Sequence, residues 1–153
     1  MTDLPGSPAT VVARFDDYPW ACFIDGIEVK VLRANLIQNS YTLLSRFAPG
    51  IRLPRHKHFG DVHAYTISGR WHYLEYDWWA TPGGYVYEPA GAIHTLDVPE
   101  DATEPALILF VVNNGMALIN DEGEIWMLED AAAMVERYAQ VLEANGQPVP
   151  TLV

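Results

Sequence analysis

The chain has 153 residues, of which 50% are hydrophobic and 19% charged, which is typical of a globular domain large enough to bury its own core. Its formal net charge of −11 argues against nucleic acid and against an anionic membrane surface as partners, because both attract clustered Lys and Arg. A single cysteine, Cys22, excludes an intrachain disulfide; we expect a small buried thiol in a reducing compartment.

The chain begins without the basic and apolar segments of a signal peptide, so we expect a cytoplasmic protein. Short β-type runs then follow one another, separated by Gly, Pro, Asn and Asp. Strands are predicted over residues 10–15, 20–24, 27–35, 41–48, 62–68, 70–78, 84–89, 93–98, 105–112, 116–120 and 124–128. Strands at this spacing predict an all-β sandwich or barrel.

One helix is predicted at the end of the chain. Asp130 can cap its first turn, residues 131–143 are good helix formers, and Gly146 supplies a stop. Its apolar stripe consists of Met134, Tyr138, Val141 and Leu142. We expect this stripe to pack on the outside of the β structure or on a partner subunit.

Three of the five histidines fall within eight residues, in the stretch RHKHFGDVHAYTISG. In a strand, His56 and His58 would project to the same face and could bind one metal ion together. A solvent-facing polar strand can carry the same pattern, so the pair alone does not decide between the two interpretations.

A second stretch, PGGYVYEPAGAIHT, indicates a strand, a tight turn and a return. Pro89 and Gly91 suit the turn, and His94 would then stand at the beginning of the next strand.

The two stretches together resemble the motifs of the cupin superfamily. The first motif covers residues 50–69, with Gly50, the HKH triplet and Gly69, and the second covers residues 83–94. The resemblance implies a single cupin domain over residues 1–153, a jelly-roll-like double-sheet β-barrel with a C-terminal helix at about 130–144. It also implies His56, His58 and His94 as metal ligands.

The chain departs from the cupin pattern after the HKH triplet. Many cupins carry a metal-binding Glu three or four residues further on, where this chain has Val62 and His63. In one registration His63 is a fourth ligand or a hydrogen-bond donor behind the ligands. In the other it faces outward and has no role in the site.

Residues 50–130 are similar to the 2,4'-dihydroxyacetophenone dioxygenase group of cupins and, more distantly, to acetylacetone-cleaving dioxygenase. This resemblance implies a non-haem Fe(II) enzyme that uses O2 to cleave a C–C bond of a hydroxyketone or β-diketone. Imidazole ligation would equally allow Zn, Ni, Mn or Cu. The expected partners are a small keto substrate and O2, in a homo-dimer or homo-tetramer.

Two further side chains are candidates for catalysis. Glu88 lies six residues before His94, where the resembled family has an acidic residue, and is the best candidate for the base that takes the substrate proton; it could instead be exposed at a strand end. Tyr73 could hydrogen-bond substrate or oxygen, or simply pack in the barrel. Aromatic residues crowd the segment between the motifs and could line a flat pocket, the core or a subunit interface.

Two other functions remain open from the sequence. The first is a non-catalytic Zn-binding cupin, a sensor or anti-sigma-like regulatory module. The second is a cupin isomerase or hydrolase that needs a metal but no O2, although the carboxylate that would favour it is absent from the first motif.

Overall fold

The structure, a computed structural model, describes residues 10–152. Within that range the chain forms twelve strands, a 3-10 turn at Phe15–Asp17 and one α-helix. The elements are β1 (Ala21–Ile24), β2 (Ile27–Asn35), β3 (Ser40–Phe47), β4 (His56–His58), β5 (Val62–Ser68), β6 (His72–Tyr73), β7 (Tyr85–Glu88), β8 (Ile93–His94), β9 (Leu96–Asp97), β10 (Ala106–Asn113), β11 (Met116–Ile119), β12 (Ile125–Glu129) and α1 (Ala131–Ala144).

The strands assemble into two antiparallel sheets. The larger has the order β1-β2-β3-β10-β5-β7, and the smaller has the order β12-β11-β4-β8. The remaining strands, β6 and β9, form a two-stranded sheet of their own. The predicted all-β, double-sheet architecture with a C-terminal helix is therefore confirmed, as a sandwich whose sheets do not close into one continuous hydrogen-bonded barrel within residues 10–152.

Strand β10 lies in the middle of the larger sheet, between β3 and β5, and its residues alternate in burial although nearly all of them are apolar. Ala106, Ile108, Phe110 and Val112 are buried on the inner face, whereas the residues between them are half-buried. β10 pairs along its whole length with β3 and along most of it with β5. Its period of two thus fixes which residues of the larger sheet face the interior.

The smaller sheet brings distant parts of the chain side by side. β11 pairs with β12 on one side and with β4 on the other, and β4 in turn pairs with β8. The HKH triplet therefore lies inside a sheet, between the strand that carries His94 and one from near the end of the chain.

The segment predicted as a strand over residues 70–78 is strand only at His72–Tyr73. Trp71 forms an isolated bridge with Ala80, and the amide of Tyr76 donates to the carbonyl of Tyr73 in a turn. The aromatic run has high β propensity, but its ends pair with each other across this tight loop. The local turn therefore overrides the propensity.

Two predictions near the N-terminus are wrong. Residues 10–14 are not strand, because they have no ladder partner and leave Val11 and Val12 exposed. Cys22, expected to be buried, is exposed on β1 because its neighbours in the strand, Ala21 and Phe23, take the inward positions.

The helix begins and ends where the sequence indicates. The Asp130 side chain accepts a hydrogen bond of 2.8 Å from the amide of Ala133, and Gly146 takes a φ of +67° just past the end. Met134, Tyr138 and Leu142 are buried against β1, β2 and β3. Among the described residues, no helix combines the length and the apolar character that crossing a bilayer requires.

Candidate metal centre

Two short strands of the smaller sheet carry three histidines on one inner face. His56 and His58 are two residues apart in β4, so their side chains project to the same side. His94 in β8 lies directly opposite His56 in the antiparallel ladder. All three residues are buried, with at most 3% of the surface of each residue exposed.

A tight turn between β7 and β8 delivers His94 to this position. Gly91 has a φ of +84°, in the left-handed region that favours glycine. Its amide donates to the carbonyl of His58 at 2.8 Å, and the amide of His58 donates to the carbonyl of Ala92 at 2.9 Å. The PAG sequence therefore ties the turn to β4 as well as reversing the chain.

The three imidazole rings form a nearly equilateral triangle. The ring centroids are 4.9 Å apart for His56 and His58, 4.7 Å for His56 and His94, and 5.0 Å for His58 and His94. Each ring offers one nitrogen, and the three nitrogens lie within 4.8 Å of one another. This spacing suits a single metal ion with a nitrogen bond of about 2.0–2.1 Å to each ring.

The hydrogen bonds around the rings leave nitrogen lone pairs for such an ion. Nδ1 of His56 lies 3.0 Å from the carbonyl of Pro54, so it carries the proton and leaves Nε2 as the acceptor. Nε2 of His94 and both ring nitrogens of His58 are buried without a hydrogen-bond partner among the described residues. Buried polar atoms are seldom left unpaired, and a bound cation would satisfy them.

The electrostatics keep the cluster neutral. Burial lowers the pKa of His56 to about 4, of His58 to about 3 and of His94 to about 2, and the neighbouring imidazoles add to the effect for the latter two. At neutral pH all three rings are therefore neutral, each with one nitrogen free of a proton, which is the form that coordinates a metal.

A carboxylate and a phenol border the triangle. Oε2 of Glu88 lies 3.2 Å from Nε2 of His58 and 3.8 Å from Nε2 of His94, and it has no hydrogen-bond partner among the described residues. The hydroxyl of Tyr73 donates to the other Glu88 oxygen, and the Tyr73 ring stacks on His94 at 3.6 Å.

Glu88 is 3% exposed, so it is not the exposed strand end that the sequence left open. Burial raises its pKa to about 7, although the hydrogen bond from Tyr73 acts in the opposite direction. Burial first, and then the nearby Glu88, raise the pKa of Tyr73 well above its ordinary value, so the phenol keeps its proton.

The arrangement of these motifs matches a known family. The family model for the ChrR cupin-like domain matches residues 8–117. The chain belongs to this cupin family. No curated protein matches the chain by sequence.

Solved structures of other cupins have the same fold. An RmlC-like cupin protein from Ralstonia eutropha JMP134 is 26% identical, with a TM-score of 0.86 over 94% of this chain and 93% of its own. Acetylacetone dioxygenase from Acinetobacter johnsonii is 14% identical, with a TM-score of 0.76 over 92% and 97%. A chain in the complex of Rhodobacter sphaeroides SigE with the anti-sigma ChrR is 16% identical, with a TM-score of 0.55 over 65% and 51%. The cupin fold expected from the sequence is confirmed.

The interior of this cupin contains a cavity that reaches the histidines. Its walls come from the inner faces of both sheets and are mainly apolar; they include Leu43, Phe47, Leu96, Phe110, Met116 and Leu118. His56, His58 and Tyr73 also line it. A bound molecule would therefore meet an apolar environment next to the imidazole triangle.

A second cleft approaches the cluster from the other side. It is bordered by Tyr76, Trp78 and Tyr87 together with Glu88 and His94. Of the aromatic residues between the two cupin motifs, Tyr76 and Trp78 line this cleft, Tyr73 borders both the cleft and the interior cavity, and Trp71 is buried in the core.

The structure does not bring His63 into the cluster. Within β5, Val62 and Ala64 point inward, and His63 projects to the opposite, half-exposed face. There its Nδ1 lies within hydrogen-bond distance of the Tyr85 hydroxyl, and its ring packs against Tyr87. This is the registration in which Val62 takes the position of the cupin carboxylate.

Sequence reasoning missed a pair of charged side chains in the interior cavity. Glu129 at the end of β12 and Arg137 on α1 both line it, 2.6 Å apart. A signal was present in the sequence. Glu129 follows Met127 with the period of an inward face, and Arg137 lies between Met134 and Tyr138 of the predicted apolar stripe.

Proposed function

We propose that this cupin is a non-haem Fe(II)-dependent dioxygenase that uses O2 to cleave a C–C bond of a hydroxyketone or a β-diketone. The observation that carries the proposal is the buried triangle of His56, His58 and His94, two of which line an apolar cavity. In this proposal these three residues are the metal ligands.

The charge of the ligand set favours an anionic substrate. Three neutral imidazoles would leave the double positive charge of a divalent ion uncompensated. A deprotonated hydroxyketone or β-diketone can supply the missing negative charge and two oxygen ligands at once. Bound Fe(II) would hold these oxygens and supply the redox chemistry that O2 activation requires.

Glu88 is proposed as the base that accepts the substrate proton. Its Oε2 is buried beside the histidine nitrogens and is not engaged by another protein group among the described residues. Tyr73 donates to the other oxygen and so orients the carboxylate toward the ligand position. A proton acceptor must lie within hydrogen-bond reach of the proton it removes. The position of Oε2, 3.2 Å from Nε2 of His58, supports this role for a ligand that would bind at the triangle.

For the 2,4'-dihydroxyacetophenone that the sequence resemblance implies, the overall reaction balances. The bond between the keto carbon and the hydroxymethyl carbon breaks, and each carbon receives one atom of O2. The products are 4-hydroxybenzoate and formate, with no external reductant consumed. The fold shared with acetylacetone dioxygenase supports the proposal at the level of architecture.

The test is anaerobic loading of the metal-free protein with Fe(II), followed by a panel of aryl hydroxyketones and β-diketones and then by O2. Oxygen uptake with stoichiometric carboxylic acid products is the expected result. Loading with Zn(II) in place of Fe(II) is the matched control and should give no uptake. Absence of uptake across the whole panel with Fe(II) bound would overturn the proposal.

A second candidate is a Zn-binding regulatory module. The family match and the structural similarity to a chain of the SigE–ChrR complex favour it. This function predicts stoichiometric Zn in the purified protein and no oxygen consumption, so the same experiment separates the two. The homo-oligomer expected from the sequence stays a prediction, which sedimentation velocity can test.

A further inference from the structure

A row of neighbouring residues in the smaller sheet leads from the histidine triangle to a second polar position. His58 lies opposite Met116, and Met116 lies opposite Glu129 on the next strand. Residues paired in this way share a face of the sheet, and adjacent strands are about 4.8 Å apart. Glu129 is therefore about 10 Å from His58 along the wall of the interior cavity.

Glu129 is a buried carboxylate with one oxygen unused. Only 3% of its surface is exposed, and Oε1 accepts a hydrogen bond of 2.6 Å from Arg137. Oε2 is fully buried and has no hydrogen-bond partner among residues 10–152. An unpaired buried carboxylate oxygen is costly, and in this cavity wall a ligand could satisfy it.

The surroundings hold this carboxylate in place. The Tyr41 hydroxyl donates to the backbone carbonyl of Glu129 at 2.8 Å, which fixes the end of β12. The guanidinium of Arg137 packs over the ring of Phe23 and contacts the sulfur of Met127. Its hydrogen bond to Oε1 leaves Oε2 as the free acceptor.

A purely structural ion pair would not need this location. The chain has another Arg–Glu pair at Arg46 and Glu28, 2.8 Å apart, which lies at the surface with more than a third of each side chain exposed. Placing a pair inside an apolar cavity costs desolvation that the mutual attraction seldom recovers. Its position on the cavity wall is therefore better explained by recognition of a bound molecule.

We propose that Oε2 of Glu129 accepts a hydrogen bond from a hydroxyl or N–H group at the far end of the ligand that binds in the interior cavity, with Arg137 as the positioning residue. The inference rests on the proposed function, in which the keto group of the substrate binds at the histidine triangle. It assigns the substrate class: an apolar ketone, such as an aryl ketone, with a hydrogen-bond donor on the side remote from the keto group.

The test compares two ketones that differ only in that donor. 2,4'-Dihydroxyacetophenone carries a ring hydroxyl, and 2-hydroxyacetophenone lacks it. Their dissociation constants are measured by calorimetry with the Zn(II)-loaded protein, which does not turn them over. Because a hydrogen bond to a charged group contributes substantially, we expect the hydroxylated ketone to bind about tenfold or more tightly.

The variant Glu129→Gln should lose most of this preference, whereas Glu28→Gln, the same change in the exposed pair, should keep it. Equal affinity of the wild-type protein for the two ketones, or no binding of either at millimolar concentration, would overturn the inference. So would an unchanged preference in Glu129→Gln. If that variant does not fold, the comparison of the two ketones on the wild-type protein decides.

The outcome separates this inference from the dioxygenase proposal. If the protein prefers the hydroxylated ketone but consumes no O2 with Fe(II), the recognition role of Glu129 is supported and the dioxygenase reaction is overturned. Rapid O2 uptake with equal affinity for both ketones would support the dioxygenase reaction and overturn the recognition role of Glu129.

Discussion

Replacement of His94 by Ala is expected to abolish the stabilisation of this cupin by a divalent metal ion. The wild-type triangle offers three ring nitrogens within 4.8 Å of one another, and the variant offers only the two on β4. At a metal concentration 100 times the dissociation constant, binding to the folded state adds about 2.7 kcal/mol of stability. For a chain of this length, that corresponds to an increase in Tm of about 5–10 °C.

The assay is thermal unfolding followed by circular dichroism, with and without Zn(II). Because His94 also stacks on Tyr73, its truncation to Ala leaves a cavity that lowers the stability of the metal-free protein. His94→Phe keeps a ring against Tyr73 and removes only the ligand. Both variants should show no Zn(II)-dependent shift, whatever their metal-free Tm.

The matched controls are His63→Ala and His72→Ala, which remove imidazoles outside the triangle and should keep the full shift. A wild-type-sized shift in both His94 variants would refute the assignment of His94 as a ligand. Loss of the shift in His63→Ala would refute the exclusion of His63 from the site.

Three further predictions concern other residues. Glu88→Gln should lower kcat for the hydroxyketone by about 100-fold or more while Fe(II) content stays stoichiometric, and an unchanged kcat would exclude Glu88 as the base. Gly69 has a φ of +75°, and a Cβ there would lie 2.4 Å from the carbonyl oxygen of Pro105. Gly69→Ala should therefore lose more than about 2 kcal/mol in urea unfolding, against about 1 kcal/mol for Gly123→Ala, where φ is +81° but no atom lies within 4 Å. Burial raises the pKa of Tyr138 from 10 to about 12, so the unfolded chain loses this phenol proton first and stability falls as pH rises through that interval. Tyr138→Phe should make this decline shallower in denaturant titrations between pH 9 and 12, and an equally steep decline would contradict the assignment.

The sequence predicted the parts of the fold that follow from local periodicity. The cap at Asp130 and the stop at Gly146 indicated where the helix begins and ends. β10 was predicted as a strand, but its residues are apolar on both faces, so the sequence did not show which face is inward. Strand period predicted that His56 and His58 share a face, and turn chemistry predicted that His94 begins the strand after a tight turn. That His94 meets the other two was implied by the cupin resemblance, because no local pattern joins segments about 35 residues apart.

The strand predictions from the sequence were wrong where a segment becomes a strand only if another segment lies beside it and pairs with it. Residues 10–15 and 70–78 have strand-like composition, but the first finds no ladder and the second bends back on itself. The local patterns place Glu129 and Arg137 each on an inward face, but they do not show that the two side chains meet. That contact depends on how the end of β12 and one turn of α1 pack together.

The position where many cupins carry a metal-binding carboxylate is apolar in this chain, and the structure indicates how the site compensates. Val62 is fully buried at that position and lies directly opposite Glu88 across the ladder of β5 and β7. The acidic group beside the histidines thus comes from the neighbouring strand, where the hydroxyl of Tyr73 holds one of its oxygens. A carboxylate engaged in this way is suited to accept a proton, and the three imidazoles stay neutral. A divalent ion held by them would keep its full charge for an anionic, chelating ligand, which is why we favour a hydroxyketone or β-diketone that binds as its anion over a substrate that stays neutral.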